Sequence, residues 1–190
     1  MNNNFIKRLP WKKVLMSFYW LIALLIIVDQ ASKATFLYLE ATKGPHFQVA
    51  VINNFFYFTY HRNTGAAWSI LRDSPWLLTL ISIAAASIML SYRIIKRKEL
   101  PPLYKAAWAV VIAGTLGNFI DRAFYKLITG VPGVVDFLHF QFGSYHFPVF
   151  NVADMCLVVG LFSLIILSFI DENKAKNNDK IAKTEVTKDE

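Results

Sequence analysis

Four runs of apolar residues limit what this chain can fold into: Val14–Val28, Pro75–Ile95, Leu103–Ile120 and Val152–Ile170. Each approaches the ~20 residues an α-helix needs to cross a bilayer, the first once Trp11 and its neighbours are added. Hydrocarbon offers no water to backbone amides, so such runs are satisfied as helices. Of 190 residues 55% are hydrophobic, including 16 Phe, 8 Tyr and 5 Trp, more than an ordinary soluble domain of this length carries. The expected fold is an all-α membrane protein of one domain, residues 1–170, with four transmembrane helices near 11–31, 75–95, 103–121 and 152–170. Lys12 and Lys13 precede the first run as in a secretory leader. The following Asp29-Gln30-Ala31-Ser32-Lys33 lacks a small-x-small cleavage pattern, which reads as a retained anchor. Residues 171–190 are charged and poor in aromatics, which predicts a disordered tail.

Positive charge sets the orientation. Lys7, Arg8, Lys12 and Lys13, then Arg93, Lys96, Arg97, Lys98 and Lys105, then five lysines after Ile170, place 14 of the 20 basic residues on one side. That side, with both termini, is expected in the cytoplasm. The net charge of +7 gives no nucleic-acid reading, because the basic residues flank spans and form no recognition element. Between the first two spans, Gln48–Tyr60 is rich in β-branched and aromatic residues around Asn53-Asn54. This predicts two strands and a turn within a small extracytoplasmic β-rich segment, about 44–68, with one face at the membrane interface. The segment from Val131 to Phe150 is similar in kind.

The acids collect at one end of the bundle. Asp29 ends the first span, Asp121 ends the third, Asp154 begins the fourth and Asp136 lies between the last two. Lys33 stands four residues after Asp29, the spacing of an i,i+4 ion pair. Asp121 adjoins Arg122 and follows Asn118 by one turn. These two groups read as structural or substrate-positioning. Asp136 and Asp154 have no basic residue close in sequence, and desolvation without a local cation raises a carboxyl pKa. Two such groups side by side share a proton, the arrangement in which one carboxylate activates water while its protonated partner polarises a carbonyl. The plainer readings remain. Asn151 and Asp154 have the spacing of an N-cap and a first-turn acid, and Asp136 reads equally as a loop acid. A carboxylate at membrane depth also suits a proton- or cation-coupled carrier, and a non-catalytic assembly factor is a third class.

Other chemistries have little support. The four histidines show no H-E-x-x-H spacing, and no G-x-S-x-G occurs. Ser32 and Lys33 are adjacent and so point to different helix faces. Cys156, the single cysteine, lies in an apolar span and reads as packing. No metal or other cofactor is expected.

Five blocks then occur in order: V-D-Q-A-S-K (28–33), R-N-T-G-A-A-W (62–68), G-T-L-G-N-F-I-D-R (114–122), V-V-D-F (134–137) and F-N-V-A-D (150–154). Together they resemble the bacterial lipoprotein signal peptidases, or type II signal peptidases, over about residues 15–170. The resemblance implies an aspartic peptidase of the bacterial inner membrane. It would remove the signal peptide from diacylglyceryl-modified prolipoproteins, cutting just before the lipidated cysteine near the periplasmic face. It assigns Asp136 and Asp154 as the catalytic pair. It places Asn63, Gly65, Asn118, Arg122 and Asn151 in blocks that line the site and position substrate or globomycin-class inhibitors, with Asp29, Lys33 and Asp121 in support. Two positions depart from the family pattern: Met155 stands where Ser is common, and Trp68 where Phe is usual. The aromatic segment Phe55–Tyr60 and the loop beyond Val131 are expected to close over the site and limit water.

Overall fold

The structure, a computed structural model, describes residues 15, 17–44, 47–65, 75–130 and 132–186. Four helices within it are long and apolar enough to cross a membrane. A left-handed Phe18 (φ 57°) interrupts the first apolar run. Helix α1 then spans Tyr19–Lys43 and ends at Gly44 (φ 92°). It runs twelve residues beyond the expected end at 31, because its C-terminal part has a surface to bury. Phe36 stacks on Phe137 with ring centroids 4.3 Å apart and meets Phe58 at 5.3 Å. Residues 11–14 and 16 of the expected first span lie outside the described residues.

Helix α2 spans Pro75–Ile95, as the sequence predicts. Helix α3, Pro102–Ile120, starts on a proline whose missing N–H costs nothing in a first turn. It is the central helix: Ala109, Val111, Ile112 and Ala113 are all buried, as are Gly117 and Asn118. A π-helical turn, Asp121–Tyr125, and a short helix α4, Lys126–Thr129, continue it past the expected end at 121. Helix α5 spans Val152–Val186. The sequence predicts disorder from Asp171, yet the helix continues through Val186. Extending an existing helix needs no new nucleus, and Glu172 pairs with Lys176 at 2.6 Å across one turn. Residues 187–190 lie outside the described residues.

The β-rich segment forms as expected and goes further. Strands β1, Gln48–Ile52, and β2, Phe56–Asn63, make an antiparallel hairpin. Strand β3, Val134–Phe142, pairs with β2, and β4, Tyr145–His146, with β3, in the order β1-β2-β3-β4. The β2–β3 register sets His61 opposite Asp136 and Asn63 opposite Val134. The first four residues of β3 are buried. Successive strand residues face opposite ways: Val135 and Phe137 join Phe36 and Tyr125 in an apolar cluster, which leaves Asp136 on the other face. Residues 45, 46 and 66–68 of this segment, Trp68 included, are outside the described residues. The Phe55–Tyr60 stretch expected to act as a cover is mostly strand β2, paired on both sides.

Candidate active site

Three asparagines gather Asp136 and Asp154. Asn151 precedes α5 and caps it. Its side-chain oxygen accepts the Asp154 N–H at 2.9 Å, and its own N–H is given to Asp154 Oδ2 at 3.2 Å. This reciprocal pattern is a capping box, the role that the Asn151–Asp154 spacing predicts. Because the oxygen is committed to capping, the amide group is free to donate elsewhere. It reaches Asp136 Oδ1 at 2.6 Å and Asn118 Oδ1 at 3.1 Å. The capping geometry therefore also carries the link between the two aspartates.

Asn63, at the end of β2, gives its amide to the second Asp136 oxygen at 3.1 Å. The Gly65 N–H occupies the Asn63 oxygen at 3.1 Å and so turns the amide nitrogen toward Asp136. Asn118, on α3, donates to Asp154 Oδ1 at 2.7 Å. Gly133 lets β3 start against Asn63: at φ 123° it occupies the left-handed half of the map, and a Cβ there would lie 2.8 Å from the Asn63 carbonyl oxygen. Asp136 is only 1% exposed. Burial, then the charge of Asp154, pushes its pKa up to about 7, against hydrogen bonds from Asn63 and Asn151 and the more distant charge of Lys33.

Beneath this pair lies a buried ionic group. Lys33 gives its ammonium to Asp29 Oδ2 at 2.8 Å, to Asp121 Oδ2 at 3.2 Å and to Asn118 Oδ1 at 3.1 Å. All three of its donors are used. The i,i+4 pair of Asp29 and Lys33 forms as the sequence predicts. Asp121, by contrast, takes Lys33 as its ion-pair partner rather than its neighbour Arg122, because adjacent residues on a helical turn point to different faces. Arg122 instead lines a cavity of about 500 Å³ with Asn63, Trp76, Leu80, Lys126 and Pro132. It lies within electrostatic reach of both Asp154 and Asp136.

Two residues at the site were not anticipated. Gln30 gives its side-chain amide to Asp29 at 3.1 Å, Asp121 at 2.9 Å and the Gly117 carbonyl at 3.1 Å. The signal was a polar side chain in an apolar helix, inside the first block. Arg62 reaches Thr129 at 2.9 Å and the Gly133 carbonyl at 3.4 Å, with its guanidinium over the Tyr125 ring. It ties β2 to the segment before β3, and only the fold brings these together. Met155, one of the two departures, is 46% exposed.

Comparison with known proteins shows the family. The family model for signal peptidase (SPase) II matches residues 21–170. The chain is 38% identical over 162 residues to the lipoprotein signal peptidase of Bacillus pumilus, covering 85% of this chain and 98% of that one. It is 37% identical over 166 residues to that of Geobacillus kaustophilus, covering 86% and 100%. A solved structure described as a bacterial membrane enzyme, obtained by the in meso method at 2.3 Å, superposes with a TM-score of 0.67 at 31% identity, covering 87% of this chain and 92% of that chain. Four membrane-length helices, the ordered polar blocks and these likenesses agree: the chain is a multi-pass membrane protein and belongs to the signal peptidase II family of peptidases.

Proposed function

We propose that the chain is an aspartic endopeptidase that removes the signal peptide from diacylglyceryl-modified prolipoproteins, cutting immediately before the lipidated cysteine. The observation that carries this reading is that Asp136 and Asp154, from a strand and a helix, meet on one asparagine, Asn151. Neither has a lysine or arginine in direct contact among the described residues. A carboxyl with a pKa of about 7 beside a second carboxylate can hold the one proton that such a pair needs.

In this mechanism the ionised partner removes a proton from water, and the resulting hydroxide attacks the scissile carbonyl. The protonated partner gives its hydrogen to the carbonyl oxygen, forming a neutral gem-diol. Collapse returns that proton to the pair while the first carboxyl protonates the departing cysteine nitrogen. The amides of Asn63, Asn118 and Asn151 hold the carboxyl oxygens throughout. The route uses water and two side chains, without a metal or other cofactor. On this reading the cavity lined by Arg122 and Asn63 receives substrate or a globomycin-class inhibitor. The charge distribution favours a bacterial cytoplasmic membrane with the basic 93–105 loop and both chain ends inside. The site then opens near the outer face, where the substrate's acyl chains are anchored.

The test is incubation of purified protein with a diacylglyceryl-modified precursor and no ion gradient, with the products weighed. The expected products are a signal peptide ending one residue before the cysteine and a lipoprotein beginning with it. Asp136→Asn and Asp154→Asn are each expected to abolish cleavage while still inserting in the membrane. An intact precursor, or a tenth of normal turnover retained in both variants, would reject the reading.

A further inference from the structure

Asp29, Lys33 and Asp121 are 1%, 0% and 0% exposed. No substrate can touch them. Their outward hydrogen bonds show a symmetry instead. Asp29 Oδ1 accepts the backbone N–H of Ala153 at 2.9 Å, the residue immediately before Asp154. Asp121 Oδ2 accepts the backbone N–H of Val135 at 3.1 Å, the residue immediately before Asp136. Both of these carboxylates are held by the same ammonium, that of Lys33, and by the same amide, that of Gln30.

We propose that Lys33 and Gln30 are positioning residues for the reaction, fixing the separation of Asp136 and Asp154 by holding the two carboxylates, Asp29 and Asp121, that grip the backbone just ahead of each. This rests on the aspartic-peptidase reading of the pair and extends it to residues that never meet the substrate. The need for such a device is geometric. Asp136 is carried by β3 and Asp154 by α5, two elements with no rigid connection in sequence. Lys33 joins them through two mirror-related arms, Asp29–Ala153 and Asp121–Val135. A third arm runs through Asn118, which accepts from Lys33 and donates to Asp154. Gln30 also bridges the two carboxylates, through Asp29 Oδ2, which Lys33 holds as well, and through Asp121 Oδ1, which it does not. Without the cation, two buried carboxylates lie close together with only one amide between them. They separate, taking Ala153 and Val135 with them.

A positioning role makes a kinetic prediction that substrate contact does not. Misplacing reacting groups by about 1 Å costs on the order of 100-fold in rate, while the binding surface is unaltered. The experiment uses the full-length protein, unmodified and as Lys33→Met and Gln30→Met, with a diacylglyceryl-modified precursor. kcat, KM and the thermal unfolding midpoint are measured for each. In Gln30→Met, whose site is only half-buried, kcat is expected to fall about tenfold with KM changed less than about twofold. In Lys33→Met the fall in kcat is expected to be on the order of 100-fold or more, again without a matching rise in KM. If Lys33→Met does not fold, Gln30→Met alone decides. Cleavage by the unmodified protein with kcat unchanged in a folded variant, or with the loss entirely in KM, overturns the positioning role and leaves the peptidase standing. An unmodified protein that leaves the precursor intact overturns both.

Discussion

Asn151 gives its side-chain N–H to Asp136 at 2.6 Å, the shortest link between the strand and the helix that carry the two candidate catalytic residues. The same residue caps α5 and receives the Asp154 N–H. Helix start and carboxyl pairing thus depend on one amide. Replacing Asn151 with Leu removes the cap, at about 1 kcal/mol of stability, and leaves Asp136 with Asn63 as its remaining side-chain donor. The expected result is a loss of kcat on the order of 100-fold with a fall in the unfolding midpoint of only a few degrees. Kinetics and thermal unfolding of the same preparation check both.

The raised pKa of Asp136 predicts opposite pH trends for stability and for its loss by mutation. An ordinary Asp in the unfolded chain titrates near 3.9, whereas Asp136 in the fold titrates at about 7. Between these values the folded state binds more protons than the unfolded one. The contribution of this group is therefore full below about pH 4 and is lost as pH rises through about 7. Asp136→Asn, which cannot ionise, is expected to unfold at a higher temperature than the unmodified protein at pH 8 and to lose that advantage at pH 4. Cleavage by the unmodified protein is expected to decline above about pH 7 as the shared proton leaves. Unfolding midpoints across pH 4–8 and an activity profile test the two halves.

Gly117 lies where α3 meets both Asp29 of α1 and Ala153 of α5. A Cβ at this position would lie 2.6 Å from Asp29 Oδ2 and 3.0 Å from the Ala153 Cβ. Gly117→Ala is therefore expected to push Asp29 from Ala153 and cost about 1–3 kcal/mol, the usual penalty of overpacking. Cleavage is expected to fall more steeply than stability, because Asp29 fixes the start of α5. Side-by-side unfolding and turnover measurements decide this. A harmless Gly117→Ala would reject this account of how Asp29 fixes the start of α5.

What the sequence disclosed was whatever depends on neighbours along one helix. The four spans follow from apolar run length, the Asp29–Lys33 pair from its i,i+4 spacing and the Asn151–Asp154 cap from its offset of three. The β1–β2 hairpin followed from its aromatic and β-branched run. The choices left to packing were hidden. Asp121 bonds to Lys33, 88 positions away, and turns from the arginine beside it, because the helix face that bears it looks into the bundle. Gln30 gave no hint of its partners, since two of them arrive on α3 and the turn that follows it. The C-terminal part of α1 was missed because its apolar contacts, Phe36 foremost, wait for β2 and β3. Helix persistence past Asp171 was missed because composition measures what a segment would do alone, not what it does at the end of a formed helix.

The length of α1 has a mechanical consequence. Its 25 residues measure about 37 Å at 1.5 Å per residue, against a hydrocarbon layer of about 30 Å. The surplus stands as a post, with Phe36 fastening the sheet to it and Lys33 fastening the two aspartates a turn below. Sheet and carboxyl pair are thus mounted on one rigid shaft, not hung from flexible loops. A thinner or thicker bilayer would tilt that shaft as a unit, and the height of the cutting plane would follow the membrane without the pair coming apart.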